Sequence, residues 1–365
     1  MRLLDEQAIE DIAVGAAVLG TGGGGDPYVG KLMALQALKN NGPIKMITLD
    51  ELDDDAFVVP TAMMGAPTVL VEKVPSGKEI FNSVHNLEDY MGKKIDVTMP
   101  IEAGGVNSMI PLAVAASLGI PMIDADGMGR AFPELQMVTF HLFGVSACPM
   151  LVSDEKGNSI VFKTVCNQWT ERIARAACSE MGGSVMDAIY PMSGAEVKKA
   201  SIPGIVTLTE EIGKGIREAK EKGKSPIDVV LEITGGFEIF KGKVVDIVRK
   251  TQGGFVRGES HFSGIDEYKG SSLELNFQNE NLVAIVDGKV ACSTPDLIAV
   301  LDAETGHPIT TEGLRYGARG VIIAMPCHEH WRTEIGIETA GPRYFGYDFD
   351  YTPVEELVAK NKAGE

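Results

Sequence analysis

Helical and strand-like hydrophobic patterns alternate over the first 165 residues. Apolar positions recur at helical spacing over residues 5–19, over Lys31–Leu38 and again over Asn107–Leu118. Short apolar runs rich in β-branched residues lie between these segments. The predicted strands are Ile44–Leu49, Phe57–Thr61, Thr68–Val71, Val97–Pro100 and Pro121–Ile123. This alternation predicts an α/β N-terminal layer domain, with a mixed or parallel sheet covered by helices.

The pattern changes after two further helices, Trp169–Met181 and Ile205–Lys222. From residue 226 onward, short β-rich segments are separated by turn residues about every eight to twelve positions, which is typical of a β-sandwich or barrel-like domain. These segments are Val229–Thr234, Phe237–Phe240, Lys243–Arg249, Phe255–Gly258, Ser272–Phe277, Leu282–Asp287, Lys289–Cys292 and Val321–Met325, before a last helix at Val354–Asn361. We therefore predict an α/β domain over residues 1–165 and a helix-linked, β-rich C-terminal domain with a C-terminal helix over residues 166–365.

Composition excludes several classes of protein. The 365 residues include 51 acidic and 33 basic side chains, a formal net charge of -18 that opposes binding to nucleic acid or to an anionic membrane. The acidic N-terminus is unlike a secretory signal, and no apolar run approaches the ~20 residues that span a bilayer. Five cysteines without a C-x-x-C pair disfavour a disulfide framework. These features predict a cytoplasmic protein without a nucleic-acid or membrane partner.

A run of glycines is the most conspicuous motif. Gly22, Gly23, Gly24 and Gly25 end the sequence GTGGGG, where a glycine backbone can approach a ligand closely. A helix that starts after Asp26 would aim its free N–H groups at this loop. The run matches neither the dinucleotide-binding fingerprint nor the phosphate loop, so no nucleotide is expected. A substrate-lining loop and a tight turn between two helices both fit the pattern.

Two polar clusters follow predicted strands, where α/β sheets commonly bind ligands. The candidate residues are Glu102 and Asn107 in the first cluster, and Asp124, Asp126, Arg130 and Glu134 in the second. Carboxylates two positions apart in an extended chain lie on the same side, so Asp124 and Asp126 could hold a metal or perform acid–base chemistry. Arg130 could bind a substrate carboxylate. Glycine turns with capping and salt-bridging side chains would explain the same residues.

A fourth cluster comprises Cys327, His328 and His330, directly after a predicted strand. Two histidines two positions apart in an extended chain face the same side, which favours a metal site. Arg257, in GGFVRGE, could line the same cleft, although a hairpin turn explains its glycines equally well. Nucleophilic catalysis has little support, because the chain has no G-x-S-x-G elbow and only Cys327 lies beside residues that could act as bases.

Together these motifs resemble the S-methyl thiohydantoin desulfurase family, which is often encoded beside hydantoinase and oxoprolinase genes. The shared pieces, in the same order over nearly the whole chain, are GTGGGGDP, E-x-G-G-x-N, D-x-D-G-M-G-R-A-F-P-E, YPMSGAEVKKASIPG, GGFVRG and CHEHWRT. The resemblance implies an α/β domain joined to a β-rich domain with the site between them. It also implies metal-dependent hydrolysis, in which water replaces a methylthio group on a thiohydantoin ring and gives a hydantoin and methanethiol. The family commonly has His-Pro-Leu-Trp where this chain has HEHW, so His328 is the family-like position and His330 is not.

The chain is accordingly predicted to be a metal-assisted hydrolase of a small cyclic amide-like substrate of the hydantoin or thiohydantoin type. The expected cofactor is a divalent metal such as zinc, and a hydantoinase-type partner and a homo-oligomer are also expected. The alternative is a non-catalytic ligand-binding or partner subunit of a hydantoinase- or oxoprolinase-type enzyme. The predicted site residues are Glu102, Asp124 and Arg130 for catalysis, Gly22, Gly23, Gly24, Gly25, Asn107, Glu134 and Arg257 for substrate binding, and Asp126, His328 and His330 for the metal.

Overall fold

The computed structural model describes residues 1–66, 69, 73 and 75–363. The helices are α1 (Glu6–Leu19), α2 (Tyr28–Asn41), α3 (Glu79–Met91), α4 (Ile110–Leu118), α5 (Thr139–Leu142), α6 (Asn167–Glu180), α7 (Gly194–Ala200), α8 (Ile205–Glu221), α9 (Pro226–Thr234), α10 (Glu334–Ala340) and α11 (Val354–Ala363). The strands of the first half are β1 (Arg2–Leu4), β2 (Ile44–Ile47), β3 (Phe57–Gly65), β4 (Val97–Met99), β5 (Met122–Ile123), β6 (Ala125–Asp126), β7 (Met150–Ser153), β8 (Ser159–Phe162), β9 (Ser184–Ala188), β10 (Met192–Ser193) and β11 (Ile202–Pro203). Those of the second half are β12 (Phe237–Gln252), β13 (Phe255–Gly264), β14 (Ser272–Gln278), β15 (Glu280–Val286), β16 (Lys289–Ser293), β17 (Leu297–Asp302) and β18 (Arg319–Met325). Among the helices of these described residues, none is long and apolar enough to cross a membrane.

The first sheet is mixed, which confirms the predicted α/β layer domain. Its strands follow the order β1-β2-β5-β4-β3-β9-β7-β8, with β10 also paired to β3. Strands β2, β5, β4 and β3 are parallel, and the flanking pairs are antiparallel. Strands β9 and β10 come from beyond residue 165, so the first sheet contains strands from both sides of the predicted domain boundary. The boundary between residues 165 and 166 stays a prediction. The predicted strand Thr68–Val71 lies outside the described residues except for Val69.

The second sheet confirms the β-rich character of the C-terminal part. Its seven strands are all antiparallel and follow the order β16-β15-β14-β13-β12-β18-β17. The two strands predicted at Phe237–Phe240 and Lys243–Arg249 form one long strand, β12, whose pairing shifts at two bulges. A bulge keeps a strand continuous while bending it, so a break in the sequence pattern does not end the strand. Strands β12 and β13 form a long hairpin that turns at Gly253 and Gly254.

The prediction of a strand at Val229–Thr234 is wrong, because these residues belong to helix α9. The Ser225 side chain accepts a hydrogen bond from the backbone N–H of Asp228, and Pro226 occupies the first helical turn. Gly235 ends the helix in a left-handed conformation, with φ 62°. These are strong start and stop signals for a helix. They outweigh the β-branched composition of the segment between them.

Two glycines allow helices α1 and α8 to pack with their backbones in contact. A Cβ atom on Gly213 would lie 1.9 Å from the carbonyl oxygen of Asp11, and one on Gly15 would lie 1.8 Å from that of Thr209. Arg217 on α8 also donates to the Asp11 carboxylate, with an Nη2–Oδ2 distance of 2.8 Å. Because α1 runs directly into the glycine loop, this packing fixes where that loop begins.

We expect the substitution Gly213→Ala to lower the free energy of unfolding by about 1–3 kcal/mol, because the added methyl group must displace a backbone carbonyl. Alanine is the better helix former by ~1 kcal/mol, so helix propensity alone would change stability in the opposite direction. Urea denaturation monitored by circular dichroism measures the change. Lys214→Ala, at the exposed neighbouring position, is the matched control and should shift stability by less than about 0.5 kcal/mol. A Gly213→Ala protein as stable as the wild type would contradict the packing described above.

Candidate functional site

A cavity of about 80 Å³ lies where the first sheet meets the turn between β14 and β15. Its polar wall contains Glu102 and Asn107 from the loop after β4, Asp187 from β9, and Glu280 at the start of β15. Methionines and Phe132 form much of the apolar wall. Both sheets therefore contribute side chains to one candidate site.

The E-x-G-G-x-N motif fixes Glu102 on the cavity wall. The Asn107 side-chain amide donates to Glu102 Oε1 at 2.7 Å and accepts from the backbone N–H of Met63 at 2.8 Å. The backbone N–H of Phe132 donates to Glu102 Oε2 at 3.3 Å. A Cβ atom on Gly104 would lie 2.7 Å from Glu102 Oε1, which explains why the turn needs a glycine here. Helix α4 begins only at Ile110, so Asn107 belongs to this loop rather than to the helix predicted from that position.

The glycine loop packs against a carboxyl group of the protein itself. The backbone N–H of Gly24 donates to Glu280 Oε1 at 3.3 Å. A Cβ atom on Gly23 would lie 2.1 Å from that oxygen, and one on Gly24, where φ is 68°, would lie 2.6 Å from the Cα of Gly104. Of the four predicted glycines, Gly24 lines the cavity. The sequence left open a substrate-lining loop and a tight turn, and in the structure the Glu280 carboxyl is the group that the loop contacts.

Three cavity carboxyls are buried and hold their protons more tightly than usual. Burial raises the pKa of Glu102 to about 7 and that of Asp187 to about 7, and the charge of Glu102 contributes to the shift of Asp187. Burial and the charge of Glu102 also hold the pKa of Glu280 well above its ordinary value. Glu280 Oε2 is buried and has no hydrogen-bond partner among the described residues. At neutral pH the group therefore contains both protonated and ionised carboxyls, as general acid–base chemistry requires.

Arg175, on α6, is the only cation among the described residues that line the cavity. Its Nε donates to Glu171 Oε1 at 2.5 Å, and its Nη2 donates to Glu171 Oε2 at 3.1 Å and to the Pro133 carbonyl at 3.0 Å. No described residue accepts a hydrogen bond from Nη1. Glu134 also lines the cavity, where its carboxylate accepts from the Tyr344 hydroxyl at 2.7 Å. The wall around Arg175 is therefore polar, and its cation is paired with the Glu171 carboxylate.

Arg130, predicted to be catalytic, lies outside the cavity lining and joins separate segments of backbone. It is fully buried. Its Nη1 donates to the carbonyls of Pro295 and Asp296, each at 2.8 Å. Its Nη2 donates to the Thr21 hydroxyl at 3.1 Å and to the Asn281 carbonyl at 3.4 Å. These bonds make Arg130 a structural link between the glycine loop and the second sheet.

The two predicted aspartates hold backbone segments in place and are not part of the cavity lining. Asp124 accepts hydrogen bonds from the backbone N–H and the hydroxyl of Thr207, at 2.9 and 2.5 Å, near the N-terminus of α8. Asp126 is fully buried, and its carboxylate accepts from the backbone N–H groups of Met128 and Gly129. This capping arrangement is the alternative that the sequence left open.

The remaining predicted residues lie apart from the cavity lining. The rings of His328 and His330 meet edge to face with centroids 4.5 Å apart, and the ring of His330 contacts Phe143 at 5.0 Å. Arg257 is exposed on β13. Cys327 is buried, and its Sγ lies 3.9 Å from the Tyr351 hydroxyl.

The predicted metal ligands Asp126, His328 and His330 do not fit a metal site as they stand. Both oxygens of Asp126 already accept hydrogen bonds from backbone N–H groups. In the part of the chain that the structure describes, no group of three or more His, Cys, Asp or Glu side chains is arranged to hold a metal ion.

The cavity thus combines predicted and unpredicted residues. Gly24, Glu102, Asn107 and Glu134 were predicted from motifs. Asp187, Arg175 and Glu280 were missed. For two of these residues the sequence contained a signal, a charged residue in an otherwise largely apolar segment. Asp187 lies within SVMDAIY, and Glu280 stands at the start of ENLVAIV. Such a charge is worth noting because buried charged groups are rare without a specific role.

Fold and cavity together define a protein in which an α/β domain and an antiparallel β domain share one buried, carboxyl-lined site. A family model described as S-Me-THD-like, N-terminal domain, matches residues 7–164, and one described as S-Me-THD-like, C-terminal domain, matches residues 165–354. The chain belongs to this S-methyl thiohydantoin desulfurase-like family, as its motifs predicted.

A solved structure gives independent support for the fold. The chain is similar to the X-ray crystal structure of a protein from Chromobacterium violaceum, with a TM-score of 0.80 and 21% sequence identity. The match covers 97% of this chain and 100% of that chain. At this identity the likeness concerns the fold alone. A search of curated proteins found no match.

We expect the substitution Glu102→Gln to stabilise the protein at alkaline pH. A glutamate carboxyl titrates near pH 4 when unfolded, whereas that of Glu102 titrates near pH 7 when folded. Between these values the folded state binds more protons, so this group makes the free energy of unfolding fall as the pH rises. At about pH 8 the variant should be more stable than the wild type by ~1–3 kcal/mol, and the difference should vanish near pH 4.

Urea denaturation at both pH values measures this difference. Glu304→Gln, which changes an exposed carboxylate, is the control and should not alter the pH dependence. Equal pH dependence in the Glu102→Gln and wild-type proteins would show that the carboxyl is not desolvated.

Proposed function

We propose that the chain is a hydrolase acting on a small cyclic amide-like substrate of the thiohydantoin type. In this reaction water replaces the methylthio group of an S-methyl thiohydantoin and gives a hydantoin and methanethiol. The observation that carries the proposal is the pair Glu102 and Asp187, two cavity carboxyls that each titrate near neutral pH. Membership of the family supports a thiohydantoin-related substrate.

The two carboxyls take complementary roles because they interact. The negative charge of Glu102 raises the pKa of Asp187, so an ionised Glu102 favours a protonated Asp187. Glu102 is then the general base, held in place by the Asn107 amide, and Asp187 is the general acid. Carboxyls with raised pKa values perform such work at neutral pH in other enzymes.

The reaction closes with both carboxyls restored. Glu102 removes a proton from a water molecule while the oxygen of that water bonds to the ring carbon. Asp187 gives its proton to the adjacent ring nitrogen. The carbon–sulfur bond then breaks, and the departing sulfur takes the proton from Glu102. The new hydroxyl loses its proton to Asp187 and becomes the ring carbonyl. Water is the only co-reactant, and no electrons are transferred.

Arg175 is the residue we assign to bind the substrate. Its Nη1 has no partner among the described residues, and the guanidinium lines the cavity. The sequence placed the glycine loop among the substrate-binding residues and Arg130 among the catalytic residues. In the structure, however, the N–H of Gly24 donates to Glu280 and the guanidinium of Arg130 donates to carbonyls. A guanidinium with a free N–H edge can donate hydrogen bonds to a ring carbonyl oxygen in the ground state and in the transition state alike, so Arg175 is assigned to substrate binding.

Metal assistance, a hydantoinase-type partner and homo-oligomerisation stay predictions from the sequence. Elemental analysis of the purified protein, with turnover measured before and after treatment with a chelator, tests metal assistance. Retention of full turnover in metal-free protein would contradict it. Loss of turnover that a single added metal restores would support it.

We expect purified protein to release methanethiol from an S-methyl thiohydantoin, measured with a thiol-reactive dye. Asp187→Asn and Glu102→Gln should each lower kcat by about 10²–10⁴-fold, because each removes one proton-transfer group. Glu304→Gln, an exposed change of the same chemistry, should leave kcat unaltered. Wild-type protein that binds hydantoin but releases no thiol would contradict hydrolysis and favour the alternative of a non-catalytic binding subunit.

The pH profile of kcat/KM should be bell-shaped with a maximum near pH 7, where one carboxyl is ionised and the other is protonated. The acid limb reports protonation of the base, and the alkaline limb reports ionisation of the acid. Because the groups repel each other when both are charged, the limbs belong to the pair rather than to single residues. Residual activity of Asp187→Asn should lose the alkaline limb. A flat profile from about pH 5 to about pH 9 would exclude this acid–base pair.

A further inference from the structure

A second, outer space adjoins the cavity and shares two residues with it. This groove has a volume of about 380 Å³, and Glu134 and Arg175 line both spaces. Gly253 and Phe255, from the turn of the β12–β13 hairpin, line the groove only. Arg175 therefore stands between the groove and the carboxyl-lined cavity. The hairpin turn lies on its outer side.

The turn of the hairpin reaches this position at the end of three paired strands. Strand β12 pairs with β13 as far as Gln252, and β13 pairs with β14 as far as Arg257. The Val256 backbone also hydrogen-bonds to Asn279, in the turn after β14. The turn at Gly253 and Gly254 therefore projects only a short way past this part of the sheet, and it contacts Arg175 on helix α6.

The Arg175 side chain, which the hairpin turn contacts, is held closely from two sides. The Glu171 carboxylate holds one edge of the guanidinium. The Phe255 ring lies over the guanidinium, with 4.3 Å between the guanidinium carbon and the ring centroid. A Cβ atom on Gly254, where φ is 83°, would lie 2.6 Å from Arg175 Cδ, so the turn touches the aliphatic stem as well.

We propose that the hairpin turn at Gly254 and Phe255 positions Arg175 for substrate binding. Phe255 fixes the plane of the guanidinium, and Gly254 fixes the stem, so that Nη1 stays at the passage between groove and cavity. Phe255 and Gly254 act through Arg175 and are positioning residues. The proposal rests on the function proposed above, which assigns the substrate contact to Arg175.

The chain offers a matched pair of glycines for the test. Gly253 and Gly254 both have positive φ values, 63° and 83°, so alanine strains the backbone at either position. A Cβ atom on Gly253 meets nothing within 4 Å, whereas one on Gly254 meets Arg175. The difference between Gly253→Ala and Gly254→Ala therefore isolates the contact with Arg175. Phe255→Leu and Phe255→Tyr form a second pair, in which only tyrosine keeps an aromatic face over the guanidinium.

The experiment measures kcat and KM for an S-methyl thiohydantoin, together with the dissociation constant of hydantoin by calorimetry. Gly254→Ala and Phe255→Leu should raise KM and the hydantoin dissociation constant roughly tenfold, with kcat changed by less than about twofold. Gly253→Ala and Phe255→Tyr should stay close to the wild type. Thermal unfolding confirms that all four variants are folded.

The outcomes separate this inference from the proposed function. Equal effects of Gly253→Ala and Gly254→Ala, or unchanged binding in Phe255→Leu, would overturn the positioning role even if the wild type turns over substrate. Wild-type protein without turnover would overturn the hydrolase proposal. In that case, hydantoin binding that is weakened only in Gly254→Ala and Phe255→Leu would still support the positioning role. Wild-type protein that neither turns over substrate nor binds hydantoin would overturn both.

Discussion

The buried guanidinium of Arg130 holds together the segments from which the cavity is built. It donates to the Thr21 hydroxyl at the glycine loop and to the carbonyl of Asn281, the residue after Glu280. It also donates to the carbonyls of Pro295 and Asp296 in the second half of the chain. A planar group with five fixed donors can join several backbone segments in one geometry, which a lysine cannot do. The spacing between Glu280 and the first sheet therefore depends on this residue.

Burying the carboxyls that Arg130 helps to bring together lowers the free energy of unfolding. Burying an ionised carboxylate without a paired cation costs several kcal/mol, so Glu102 and Asp187 respond by binding protons near neutral pH. A cavity built only for stability would contain apolar residues at these positions. Groups that lower the stability of the fold yet lie together in a cavity are typical of a functional site. The large hydrophobic cores of both halves offset the free energy that burying these carboxyls costs.

Local motifs predicted the parts of the site that local structure builds. Glu102 and Asn107 lie five residues apart and hydrogen-bond to each other, so one sequence motif contains the whole arrangement. Asp187 and Glu280 come from distant strands, and only the sheet topology brings them to the same cavity. Asp124 was predicted to be catalytic because it is a carboxylate after a strand, but an aspartate serves equally well as a hydrogen-bond acceptor at the start of a helix. Tertiary contacts decide between such roles, and a single sequence does not contain them.

The glycine run Gly22–Gly25 has a physical explanation that differs from a ligand-binding loop. Gly23 and Gly24 have no room for a side chain, because the loop packs between Glu280 and Gly104. The N–H of Gly24 is directed at the Glu280 carboxyl, which lies close enough to Glu102 for the two charges to affect each other. A bulkier loop would push Glu280 away and weaken that repulsion. The glycines thus act on the chemistry indirectly, by letting the Glu280 carboxyl pack against the loop, where burial and the charge of Glu102 raise its pKa.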